Sequence, residues 1–129
     1  MSAAVADYKP EKRSDRKIKK SDEQLTVKLL PTKDILAELG RKKKKGQLLV
    51  GFALETDNGI ESAKQKLQKK NLDMIVLNSL EDKGAGFKED TNKVSILTRN
   101  NKTLKFELKS KQEVAVDIVA QIIKSFEEA

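Results

Sequence analysis

No cysteine and no histidine occur among the 129 residues. The missing thiols exclude disulfide scaffolds, Cys-ligated zinc and thiol chemistry. Without imidazole there is no Ser-His-Asp triad, no histidine general base and no imidazole metal site. Any metal would be a hard cation on carboxylates and phosphates. Aromatic rings are scarce, four Phe and one Tyr, and only two prolines punctuate the chain. No apolar run approaches the ~20 residues that a membrane span needs. The N-terminus lacks the apolar stretch of a signal peptide. A cytoplasmic protein with no membrane partner is the expectation, and the length predicts one domain.

Hydrophobic residues make up 37% and charged residues 36%, which leaves enough apolar side chains for one modest core. Lys and Arg outnumber Asp and Glu by 27 to 20, a formal net charge of +7. The excess is local. Residues 1–20 carry a net +4, Arg41–Lys45 carries +5, and the rest sums to −2. Arg41–Lys45 reads as a solvated helix end, because cations suit the negative pole of the helix dipole. Asp34 and Glu38 lie about a turn before it. The segment 9–20 reads either as a basic loop or as a clamp on a phosphate-rich ligand.

Strand and helix patterns alternate along the chain. Met1–Ala6 is small and apolar and reads as the end of a buried strand. Lys9–Asp22 is polar, contains Pro10 and predicts a long loop. Leu25–Leu29 alternates apolar and polar residues, predicting a strand with one covered face, ended by Pro31. Thr32 is placed to cap a helix running through Asp34 to about Lys44, with Ile35, Leu36 and Leu39 inward. Gly40 weakens that helix near its end. Gln47–Leu54 is continuously apolar, predicting a strand buried on both faces. Asn58 and Glu61 have the spacing of a capping box. The helix after them puts Ile60, Ala63 and Leu67 on one side and runs to Lys70, with Asn71 in a left-handed closing conformation. Asp73–Asn78 is another buried strand. Ser79–Thr91 is a loop. Val94–Thr98 and Thr103–Leu108 form a hairpin around Asn100-Asn101. Ser110 and Glu113 cap a last helix whose stripe is Val114, Ile118, Ile122 and Phe126. This order predicts an α/β fold, Rossmann-like, with a mostly parallel sheet, a C-terminal hairpin and helix, and an incomplete N-terminal side.

In parallel sheets, ligands gather beyond the carboxyl ends of the strands. Asp7, Phe52–Thr56 and Asn78 are expected there, and Lys17, Lys19 and Lys20 lie in a loop long enough to fold over them. Lys66 and Lys70 are one helical turn apart. One carboxylate, one ring and several lysines suit a polyphosphate with a divalent ion. Plainer readings stand beside this: Asp7 as a turn residue, Phe52 as core, and Lys66 and Lys70 as a solvated helix face. Gly84-Ala85-Gly86 is not a phosphate loop, since it lacks the full glycine spacing and does not open a helix.

Ala3-Ala4-Val5-Ala6-Asp7-Tyr8, Lys17-Ile18-Lys19-Lys20, Val50-Gly51-Phe52-Ala53-Leu54-Glu55-Thr56 and Lys69-Lys70-Asn71-Leu72-Asp73 occur in that order, followed by Gly86-Phe87 and Asn92. Together they resemble the phosphopantothenate–cysteine ligase family, the synthetase domain of the bacterial bifunctional coenzyme A biosynthesis flavoprotein. The resemblance runs from Ala3 into the last helix. It implies CTP and Mg²⁺. Phosphopantothenate and CTP form an acyl-cytidylate, and cysteine then displaces CMP. It places Met1, Ser2 and Ala3 against the nucleotide and matches Asp7 to a nucleotide-binding aspartate. Lys17 matches the catalytic lysine of a flap over the acyl-cytidylate, with the flap loop spanning residues 9–22. Lys33, Asp34, Ile35 and Leu36 match a nucleotide-contacting helix start. Phe52 matches a nucleotide-contacting aromatic, and Lys66 and Lys70 match lysines on the nucleotide's charged end. A homodimer is also implied.

Two departures stand out. Pro31-Thr32-Lys33-Asp34 replaces a common Asn-Pro-Asp pattern. The family's first half is absent, and so is the decarboxylase domain that binds FMN. Met1 therefore reads as an internal methionine, and the chain as the C-terminal portion of one ligase domain, inactive alone. The rival readings are an ATP-dependent ligase of the same family, a non-catalytic dimerising remnant and a basic nucleic-acid-binding module. The last is disfavoured because the charge is confined to two segments and aromatics are few.

Overall fold

The computed structural model describes residues 6–20, 24–56, 58–79 and 90–127. The strand expected at Met1–Ala6 and the glycines at 84 and 86 lie outside them, except Ala6. The chain forms two compact units, Met1–Ile35 and Leu36–Ala129.

In the first unit, β1 (Tyr8–Pro10) and β2 (Leu29–Pro31) pair antiparallel, Tyr8 opposite Pro31 and Pro10 opposite Leu29. The Glu11 N–H donates to the Lys28 carbonyl at 2.9 Å, and the Thr32 N–H donates to the Asp7 carbonyl at 2.8 Å. The expected loop at 9–22 thus begins as a strand. The pairing joins residues about twenty apart, so no local period announces it. Pro10 is tolerated because a two-stranded ribbon has a free edge. The strand expected at Leu25–Leu29 is instead displaced to Leu29–Pro31 and includes the proline expected to end it. Leu25, Val27 and Leu29 are exposed within the chain, so their alternation marks no covered face.

The helix α1 spans Ile35–Lys42, shorter than expected at both ends. Thr32 is not seen capping it: its hydroxyl donates to the Ala6 carbonyl at 2.6 Å, three residues before the helix opens. Leu39, expected inward, is exposed. The second unit then runs β3 (Val50–Glu55), α2 (Gly59–Lys69), β4 (Met74–Ser79), β5 (Thr91–Asn92), β6 (Val94–Thr98), β7 (Thr103–Lys105), β8 (Lys109–Ser110) and α3 (Lys111–Glu127).

The main sheet has the order β3-β4-β6-β7. The β3–β4 pair is parallel, with Val50 opposite Met74 and Leu54 opposite Asn78. The β4–β6 and β6–β7 pairs are antiparallel. The hairpin β6–β7 turns where expected, with Asn101 at φ 58. The fold is therefore α/β, but the sheet is mixed and not mostly parallel as expected: among the described strands only β3 and β4 run parallel, because β6 and β7 return as a hairpin beside β4. Each face carries its own apolar layer. On one side Ala63 and Leu67 of α2 and Leu36 of α1 pack on Ala53, Ile75, Leu77 and Leu97. On the other, Val114, Ile118 and Ile122 of α3 pack on Met74, Val76, Val94 and Ile96.

β4 is central, and Met74–Leu77 is buried on both faces. Each such side chain contributes roughly 1.5–3 kcal/mol by leaving water. β3 has an equally apolar sequence but a different fate. Gly51 and Ala53 are buried on the α2 face, while Phe52 is 71% exposed and Leu54 38%. Among the described residues β3 pairs only with β4. The expectation of a strand buried on both faces is corrected here: the second face of β3 is open. Phe126, the last of the predicted α3 stripe, is likewise exposed.

Candidate functional site

The site residues divide between the two units. In the first, Asp7 precedes β1; its carbonyl is held by the Thr32 N–H and its side chain is exposed. Lys17 lies in residues 11–20, which form no strand or helix, beside an exposed Ile18. Lys33 and Asp34 connect β2 to α1, and Ile35 opens the helix. Met1, Ser2 and Ala3 lie outside the described residues.

In the second unit, Leu36 belongs to the first turn of α1 and packs into the α2-side core. Phe52 lies within β3, not after it, and alternation puts its ring on the face of Val50, the α3 side. Lys66 is in the last turns of α2, and its ammonium bonds the Glu55 carboxylate at the end of β3. Glu55 is the better buried partner, with 19% of its side chain exposed against 43% for Lys66. Lys70 caps α2, its N–H donating to the Lys66 carbonyl at 3.0 Å. The structure therefore joins Lys66 to Glu55 but not to Lys70, which closes α2 four residues before β4 opens, toward the amino end of the sheet and against Gly40. It sets the Phe52 ring on the opposite face of the sheet from both lysines. The two faces meet at the carboxyl end of β3, where Glu55 stands.

The helix starts also differ from the sequence patterns. Asn58 adopts a left-handed conformation (φ 49) and makes no side-chain cap, so the predicted box with Glu61 does not form. The Ser110–Glu113 box does form. The Ser110 N–H and hydroxyl reach Glu113 Oε2 at 3.0 and 2.6 Å, and the Glu113 N–H returns to the Ser110 hydroxyl at 3.3 Å. Those bonds, the hydroxyl first, hold the Glu113 carboxyl below the usual glutamate range, and Lys109 adds to the effect.

Two pairings of consequence escaped the sequence reading. Lys43, in the supposedly solvated cation run, is only 11% exposed in its side chain. It bonds both Asp73 carboxylate oxygens at 2.8 Å and the Asn71 carbonyl at 3.0 Å. Glu55 anchors Lys66 from eleven residues away, a spacing that carries no signal. Asn78 stands at the carboxyl end of β4, as the sequence placed it, and holds a buried Oδ1 with no hydrogen-bond partner among the described residues. Among the described residues no group of three or more acidic side chains is placed to hold a metal ion. No helix among them is long and apolar enough to cross a membrane.

Residues 1–126 match the family model described as the DNA/pantothenate metabolism flavoprotein C-terminal domain. The chain belongs to that family. It is 46% identical over 121 residues to the Bacillus subtilis coenzyme A biosynthesis bifunctional protein CoaBC, covering 94% of this chain and 30% of that protein. It is 57% identical over 123 residues to a cysteine/cysteine sulfinic acid decarboxylase from an unknown prokaryotic organism, covering 95% of this chain and 34% of that one. Among solved structures it resembles the C-terminal domain of CoaBC, with 38% identity and a TM-score of 0.73, over 98% of this chain and 53% of that domain. The chain thus spans about a third of the length of these curated relatives. The resemblance and the α/β fold drawn from the sequence both hold.

Proposed function

We propose that this flavoprotein C-terminal chain contributes to the CTP-dependent ligation of phosphopantothenate to cysteine in coenzyme A biosynthesis. The observation carrying this reading is its similarity to CoaBC across nearly its whole length. In the reaction, the phosphopantothenate carboxylate attacks the α-phosphate of CTP and pyrophosphate leaves. The cysteine amine then attacks the acyl carbon and CMP leaves. No imidazole is required.

The chain's own groups have roles that follow from their chemistry. Lys66 and Lys70 hold anionic oxygens of the nucleotide. Glu55 keeps the Lys66 ammonium extended toward the carboxyl end of β3, so its orientation is set before ligand arrives. The open Phe52 ring offers an apolar surface to the nucleotide, which would lie across the end of β3. Lys17, in a segment without strand or helix, closes over the reactive acyl-cytidylate and shields it from water. Asp7 and the start of α1 complete the nucleotide contacts. Mg²⁺ would ride mainly on the triphosphate oxygens and water, with few protein carboxylates.

In the intact protein carrying this chain, product formation from phosphopantothenate and cysteine is expected with CTP and much less with ATP. Lys17→Ala should let acyl-cytidylate accumulate or hydrolyse; unchanged product formation would remove the assigned role. The 57% identical relative supports a second reading, decarboxylation of a sulfur amino acid. Release of CO₂ from cysteine or cysteine sulfinic acid without any ligation would favour it.

A further inference from the structure

The amino ends of β3 and β4, at the far end of the strands from Glu55, frame a cavity of about 290 Å³. Its size is at the lower end of the ~300–1,000 Å³ range of small-molecule sites. Leu48, Leu104 and Phe126 supply apolar wall. Arg99, Lys102 and Lys124 supply three cations. The carboxylate of Asp73 also lines it, but that group already accepts from Lys43 Nζ at 2.8 Å and from the Leu49 N–H at 2.7 Å. Asp73 is thus taken up by Lys43 and, at 3.9 Å, by Arg99, which also bonds the Asn71 side-chain oxygen, so the positive excess on the wall rests on Lys102 and Lys124. Thr98 also lines it, although its hydroxyl oxygen is buried and closed off from the cavity. Phe126, 54% exposed, lines this cavity together with Leu104.

The geometry points to a second small-molecule site here, for an organic anion with a flat apolar body of about two rings. Its body would lie between Leu104 and Phe126, and its charged group would reach Lys102 and Lys124. The inference stands apart from the ligase reading, because none of the proposed nucleotide residues lines the cavity.

The probe is 1-anilinonaphthalene-8-sulfonate, followed by its fluorescence on titration into the full chain. Its uncharged counterpart, N-phenyl-1-naphthylamine, is run in parallel. We expect saturable sulfonate binding that weakens about tenfold in Lys102→Ala/Lys124→Ala, a loss equal to about 1.4 kcal/mol. The uncharged probe should bind both proteins alike. Phe126→Ala should weaken both probes, whereas Val119→Ser, on the exposed outer face of α3, should change neither. Inorganic phosphate at matched ionic strength should displace little sulfonate, since it lacks the apolar body. Equal sulfonate affinity in the double-lysine variant would overturn the site. So would loss of binding in Val119→Ser, which would place the probe on the helix surface.

Discussion

Gly40 tests how closely α1 meets the end of α2. A β-carbon built on Gly40 would stand 1.8 Å from the Lys70 carbonyl oxygen and 2.9 Å from its carbonyl carbon. A comfortable separation is about 3.5 Å, so Gly40→Ala forces the two backbones more than about 1 Å apart. No flexible side chain is available to yield. The Lys70 N–H is tied to the Lys66 carbonyl, Asn71 is held at φ 54, and Asn71 Nδ2 donates to the Gly40 carbonyl at 2.8 Å. Overpacking of this kind costs about 1–3 kcal/mol. Losing the Asn71 bond adds about 1 kcal/mol. The better helix propensity of alanine returns about 1 kcal/mol. The expected net loss is about 1–3 kcal/mol, or a fall in Tm of roughly 4–12 °C. Urea unfolding followed by far-UV circular dichroism measures it directly. An alanine variant as stable as the parent, or about 1 kcal/mol more stable as at an open helical site, would refute the close contact.

Lys43→Ala leaves Asp73 with the Leu49 N–H and only the longer Arg99 contact at 3.9 Å, and about 2 kcal/mol of stability should disappear in the same unfolding assay. Lys66→Ala should cost less than about 1 kcal/mol of stability, because the pair with Glu55 is partly exposed, yet it should weaken nucleotide binding in the intact protein by calorimetry. A proton-detected NMR titration should find Glu113 titrating below the usual glutamate range, and Ser110→Ala should move it back up. Because the folded value is depressed, the contribution of this cap is full above the unfolded value and fades as pH falls through the folded one. The stability difference between parent and Ser110→Ala should therefore narrow in acid; a difference that widens in acid would contradict the linkage.

Much of the second unit was readable from pattern alone. The run Met74–Leu77 does become a strand buried on both faces, and the β6–β7 hairpin turns at its asparagines. The Ser110–Glu113 box forms because both partners lie within one turn. The failures share a cause. β3 looks like β4 in composition, but its exposure depends on which neighbours flank it. Asn58 and Thr32 carry the right side chains for capping, but backbone conformation and a carbonyl from a distant segment decide otherwise. Lys43 sits in a tetralysine that looks solvated, and only the fold reveals that Asp73 claims one of the four.

Local chemistry in the chain, its periods and turns, settled the three helices and the longer strands of the second unit, β3, β4 and β6. The ordered motifs settled the family. Tertiary structure alone decided that β3 leaves Phe52 bare, that Glu55 holds Lys66 and that Gly40 must lack a side chain. Those outcomes depend on approaches between residues 11 to 30 positions apart, where no short-range period reaches.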